Sequence, residues 1–112
     1  MRIYSSGLVL IFLALCPKAE AGPDNARPAA QVYRRYCVSC HGLDGKATTS
    51  KGKYSHARDL TDAEWQADVS DERIFNSIMN GRNVRGNMPT FSQKLTEDEI
   101  NSLVTFIRAL KG

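Results

Sequence analysis

An all-α domain is predicted, with three main helices, one short helix and two long loops. Three observations predict it. Apolar residues recur at helical spacing in three separate stretches. Several helix starts carry Ser, Thr and Glu in cap positions. No stretch of useful length alternates apolar with polar residues as a half-buried strand would.

The chain of 112 residues has room for one domain. Residues 1–21 read as a secretory signal peptide. Arg2 gives the positive start, "GLVLIFLALC" (Gly7 to Cys16) is the apolar run, and Ala19 and Ala21 offer the small residues that a signal peptidase reads. The run is well short of the roughly 20 residues that span a bilayer. Cleavage before Gly22, export to the periplasm and no stable membrane insertion afterwards are therefore expected. "LALC" also has a faint likeness to a lipoprotein box with Cys16 lipidated, in which Leu15 fits poorly. Residues 22–28, polar and holding Pro23 and Pro28, read as a flexible leader. The domain then occupies 29–112.

Ala29, Val32, Tyr33, Tyr36 and Cys37 fall at helical spacing, so the first helix runs into "YCVSCHG", Tyr36 to Gly42. Residues 42–58, "GLDGKATTSKGKYSHAR", read as a loop long enough to wrap something. "LTDAEW", 60–65, opens a short helix with Thr61 as N-cap and Glu64 completing a capping box. In "VSDERIFNSIMNG", 69–81, Ser70 caps, Asp71 and Glu72 suit the positive helix start, and Asn80-Gly81 supplies a left-handed stop. A second irregular segment, "RNVRGNMPTFSQK", covers 82–94. The last helix opens at "LTEDEI", with Thr96 and Glu99 as a capping box and Leu95 and Ile100 as a staple. Ile100, Leu103, Val104, Ile107 and Leu110 form its apolar stripe.

The formal net charge of +3 is too weak a bias to argue for nucleic acid, and no Lys/Arg run is interleaved with aromatics. A domain this small often needs a staple. With Cys16 removed, Cys37 and Cys40 are the cysteines that remain, and a disulfide between them would close a tiny loop and stabilise little.

The string Cys37-x-x-Cys40-His41 allows three chemistries. A structural zinc site wants four ligands, usually in two pairs; no second pair exists, and His56 is the other histidine of the chain. A dithiol–disulfide centre is expected beside a βαβ pattern, which is missing. The third chemistry is covalent haem, for which C-x-x-C-H is the attachment signature. Cys37 and Cys40 lie one helical turn apart, so both thiols can meet the two vinyl groups on one porphyrin edge. His41, four residues after Cys37, can reach the iron. One haem c supplies the staple and gives the loops something apolar to wrap. For the second axial ligand there are three candidates. Met79 lies on the apolar face of its helix with Phe75 and Ile78 and reads as core. His56 reads as an ordinary loop histidine. Met88, in "GNMPTF" just before Pro89, is a lone hydrophobe in an irregular loop and is the expected ligand. A thioether opposite an imidazole raises the reduction potential.

With these residues in view the chain resembles a class I c-type cytochrome in its short bacterial form, over about residues 29–110. "YRRYCVSCHG" resembles the family's first helix and haem motif, "GNMPTF" its methionine loop, and "LTEDEINSLVTFIRAL" its last helix. The resemblance implies a cytochrome c fold wrapped around the haem, thioether links at Cys37 and Cys40, His41 as proximal ligand and Met88 as distal ligand. It also implies that the first and last helices cross near Ala29 or Ala30, with Tyr33 on Phe106. Trp65 either lines the haem pocket or simply packs. The sequence departs from the family in having no proline between His41 and Met88, where many relatives use a carbonyl beside a proline to orient the imidazole.

The function implied is single-electron transfer by a periplasmic monohaem carrier, without enzymatic activity, because two filled axial positions block substrate at the iron. Transient redox proteins are the expected partners and a monomer the expected state. Lys46, Lys51, Lys53, Arg82 and Arg85 are candidates to ring the exposed haem edge. Two alternatives stand beside this: a cytochrome subunit of a larger redox complex, and a peroxidase or gas-binding protein should the methionine ligand be absent.

Overall fold

The computed structural model describes Gly7, Ile11 and residues 25–112. Apart from Gly7 and Ile11, the expected signal peptide and the first residues of the expected leader lie outside the described residues. The described chain is helical: α1 (Ala29–Tyr36), α2 (Val38–His41), α3 (Ser50–Tyr54), α4 (Ala63–Asp68), α5 (Asp71–Asn80) and α6 (Glu97–Arg108). Among the described residues the one β feature is an isolated antiparallel bridge between Arg82 and Met88.

The core forms where α1 meets α6. Val32 and Tyr33 from α1 and Ile100 and Leu103 from α6 are buried almost completely. The Tyr33 and Phe106 rings lie 4.9 Å apart between centroids, as expected. Ile74 and Ile78 of α5, Val104 and Ile107 of α6, and Leu60, Phe91 and Leu95 from the connections complete the cluster. Each such side chain contributes about 1.5–3 kcal/mol by leaving water, which is what holds α1, α5 and α6 together.

Helix α6 starts as its sequence predicts. Thr96 Oγ1 accepts from the Glu99 amide at 3.2 Å, and Glu99 Oε1 accepts from the Thr96 amide at 3.0 Å. Glu99 then does more than close a capping box. Arg27 donates to it through Nε at 2.7 Å and through its main-chain amide at 3.2 Å, while also reaching the Tyr36 hydroxyl and the Lys94 carbonyl. The Arg27 hydrogen bond outweighs burial and holds the Glu99 carboxyl well below the carboxylate range, at about 2. Arg27, inside the segment expected to be a flexible leader, is thereby tied to the start of the last helix.

Four further details differ from expectation. The first helix runs into the motif as expected but ends at Tyr36, short of Cys37, and the chain resumes as α2. Residues 42–58 are not all loop, because Ser50–Tyr54 forms α3, capped by Thr49 Oγ1 accepting from the Gly52 amide at 2.9 Å. Three short helices therefore accompany the three longer ones, not one. Thr61 does not cap α4; Asp62 does, accepting from the Trp65 amide at 2.9 Å, while Thr61 donates to Asp59. A carboxylate one residue nearer the helix competes better for those orphan amides than the threonine. Helix α5 does begin on Ser70 and ends at Gly81, whose φ of +73° is the backbone a glycine adopts without strain.

Candidate functional site

Helical geometry assembles the Cys-x-x-Cys-His group. The His41 amide donates to the Cys37 carbonyl at 2.8 Å, closing a turn, so Cys37 and His41 stand one above the other on one face. The turn is anchored at its end and from behind. The buried Tyr33 hydroxyl donates to the Gly42 carbonyl at 2.7 Å, and Thr49 Oγ1 donates to the Ser39 carbonyl at 2.7 Å. Gly52 of α3 lies so close that a Cβ there would sit 2.1 Å from the Cys40 carbonyl oxygen. Only a residue without a side chain lets α3 press against the motif.

Cys37 and Cys40 are both unpaired and half-buried. Burial, with the proximity of Cys40 adding to it, pushes the Cys37 thiol up to about 12. His41 Nδ1–H donates to the Arg58 carbonyl at 2.9 Å. That bond fixes the ring and its tautomer and leaves Nε2 with a free lone pair. Burial lowers the His41 pKa, against the opposing pull of the Arg58 carbonyl, which favours the neutral imidazole that a metal requires. The missing proline is thus replaced by an arginine main chain. Its position comes from two loop hydrogen bonds, the Ala57 amide to the Gly52 carbonyl at 2.8 Å and the Leu60 amide to the Gly45 carbonyl at 2.7 Å. His56, just before Ala57, has a positive φ of 53°. Side-chain motifs gave no warning of Arg58, since a carbonyl carries no residue signature; the glycines at 45 and 52 were the visible trace.

Met88 comes from the other irregular segment. It is half-buried and packs against the core. Its amide donates to the Arg82 carbonyl at 2.8 Å and its carbonyl accepts from the Arg82 amide at 2.9 Å. The two loops meet where the Asn87 amide donates to the Ser55 carbonyl at 3.2 Å. Met79 is half-buried against the core, as its helical face predicts, and Trp65 likewise packs there. His56 is exposed, as are Lys46, Lys51, Lys53, Arg82 and Arg85.

Among the described residues no three of His, Cys, Asp and Glu converge as a metal cluster. What the chain offers is two free thiols a turn apart, a neutral imidazole fixed at one nitrogen, and a loop-borne thioether. This donor set suits a covalently attached haem.

Comparison with known proteins agrees with this chemistry. Residues 24–107 match the family model described as cytochrome c oxidase, cbb3-type, subunit III. The chain is 30% identical over 87 residues to the cbb3-type cytochrome c oxidase subunit FixP of Azorhizobium caulinodans, covering 78% of this chain and 28% of that protein. It is 31% identical over 107 residues to a cytochrome c6 of Gloeothece citriformis, covering 94% of this chain and 91% of that one. Among solved structures, the KustC0563 c-type cytochrome superposes with a TM-score of 0.69 at 38% identity, covering 77% of this chain and all of the other. The chain spans less than a third of the FixP relative and nearly the whole of the cytochrome c6 relative.

Proposed function

The chain belongs to the family described as cytochrome c oxidase, cbb3-type, subunit III, and on that premise we propose that it is a periplasmic monohaem carrier whose iron is held by His41 and Met88. As a c-type cytochrome domain it takes covalently bound haem c and transfers electrons. Cys37 and Cys40 would hold the haem by thioether bonds. The haem would supply a one-electron change at iron, and the residues of this chain would hold its ligands.

The observation that carries this reading is the His41–Arg58 hydrogen bond. An imidazole locked through Nδ1, directly after two free thiols, is arranged as an axial ligand and not as an acid or base. Met88, half-buried in a bridged loop, supports a filled second position, which favours electron transfer over substrate binding at iron. Transient partners would meet the surface beside the motif, where Leu43 and Tyr54 are exposed among Lys46, Lys51 and Lys53. Residues 1–21 would direct export, with 29–112 as the domain that folds around the haem.

A redox titration of the purified protein tests this. The expected result is one haem per chain, a reversible one-electron wave and a low-spin ferric spectrum with weak far-red absorption. A high-spin resting spectrum, or peroxide or carbon monoxide binding without displacement of a ligand, would overturn it. The matched family favours one second reading, a haem domain working inside an oxidase complex. Recovery with oxidase subunits after gentle extraction distinguishes it from a free carrier.

A further inference from the structure

From the contacts between the two loops we infer that the main chain from Ser55 to Arg58 is a shared brace for both axial ligands, and that Gly86 is a positioning residue for Met88. The inference rests on Met88 as a ligand.

Two carbonyls three residues apart on this short stretch serve the two candidate ligands. The Arg58 carbonyl accepts from His41 Nδ1 at 2.9 Å. The Ser55 carbonyl accepts from the amide of Asn87, the residue before Met88, at 3.2 Å. Gly86 makes that second contact possible. A Cβ on Gly86 would lie 2.2 Å from the Ser55 oxygen, 3.3 Å from the Ser55 carbonyl carbon and 3.2 Å from the His56 Cβ. Since the nearest obstacles are main-chain atoms, a side chain at 86 must push the two loops apart rather than turn aside. The far end of the Met88 loop is held independently by the Arg82 bridge and by Thr90 Oγ1 donating to the Met79 carbonyl at 2.6 Å. Substitution at 86 therefore releases one end of the loop. The brace is itself tied to α3 by the Ala57 amide on the Gly52 carbonyl, and α3 rests on the Cys40 carbonyl. Displacing Met88 is thus coupled through main chain to the strut behind His41.

The test is imidazole titration of the ferric holoprotein, followed by the far-red band, in wild type, Gly86→Ala, Val84→Ala and Met88→Ala. Val84 is exposed on the same loop and serves as the control. Gly86→Ala should bind imidazole about tenfold more tightly than wild type, a typical size for coupling between sites, while Val84→Ala titrates as wild type. Amide exchange on the wild type gives a second readout that needs no variant to fold. Imidazole should speed exchange at Asn87 and Ala57 and leave Leu103 protected. If Met88→Ala abolishes the band but Gly86→Ala titrates as wild type, and exchange at Asn87 and Ala57 is unchanged, the brace is refuted and the ligand stands. If Met88→Ala keeps the band, the ligand assignment falls and the inference falls with it.

Discussion

The crossing of α1 and α6 and the meeting of the two loops, residues 42–58 and 82–88, are held by opposite means. At the crossing, Val32, Tyr33, Ile100 and Leu103 vanish from solvent and stability comes from apolar area. Between the loops, main chain meets main chain: Gly86 lies on the Ser55 carbonyl and the Asn87 amide bonds to it, while behind them Gly52 lies on the Cys40 carbonyl of α2. Of the large apolar side chains on those loops, Leu43, Tyr54 and Val84 stay exposed. A structure held this way opens locally at lower cost than a packed core. Global unfolding should therefore be governed by the helices and exchange of the Met88 ligand by the loops.

Substitution at the crossing gives the largest expected effect. Leu103→Ala should cost about 3 kcal/mol in thermal or denaturant unfolding, and the protein that remains folded should keep its ferric far-red band. Loss of the band at unchanged stability would break the division between the two regions.

Next comes the clamp that closes the crossing at its polar end. Glu99→Gln should lower stability by about 2 kcal/mol at neutral pH, because Arg27 and the Thr96 amide both lose a charged acceptor. The sign of its pH dependence follows from the depressed pKa. An unfolded glutamate titrates near about 4.3, whereas in the fold this carboxyl is held at about 2. Its contribution is complete above the unfolded value and is lost as pH falls toward about 2. Melting temperatures across that window should drop more steeply for wild type than for the variant; parallel curves would mean that Arg27 does not hold Glu99 in solution.

A smaller change sharpens the boundary between the regions. Buried Gln66 donates through Nε2 to the Leu60 carbonyl at 2.8 Å and to the Ile107 carbonyl at 2.9 Å, joining the end of the first loop to α6. Gln66→Ala should cost about 1 kcal/mol and leave imidazole affinity unchanged. A large rise in that affinity would show that the helical scaffold steers ligand exchange after all.

The same division explains what could be read from the sequence. Helices α5 and α6 were legible because periodicity, Ser70 and the Thr96–Glu99 box are side-chain signals, and the core partnership of Tyr33 with Phe106 followed the family pattern. Met79 packed where its helical face put it. Helix α3 was missed because five residues with a central glycine have poor propensity; Thr49 and the contact with Cys40 make it fold. The Thr61 cap was misplaced by one residue because Asp62 offered a charged acceptor nearer the helix. Arg58 could not be found from residue types, since its carbonyl does the work. Arg27 looked like part of a tail because its partner, Glu99, lies 72 residues away.

The most direct test of the account is the ferric absorption spectrum of Met88→Ala beside that of wild type at neutral pH. The account predicts weak far-red absorption and a low-spin iron in wild type, and loss of that absorption with conversion to high spin in the variant. A far-red band that survives the substitution, or one that wild type lacks, would contradict it.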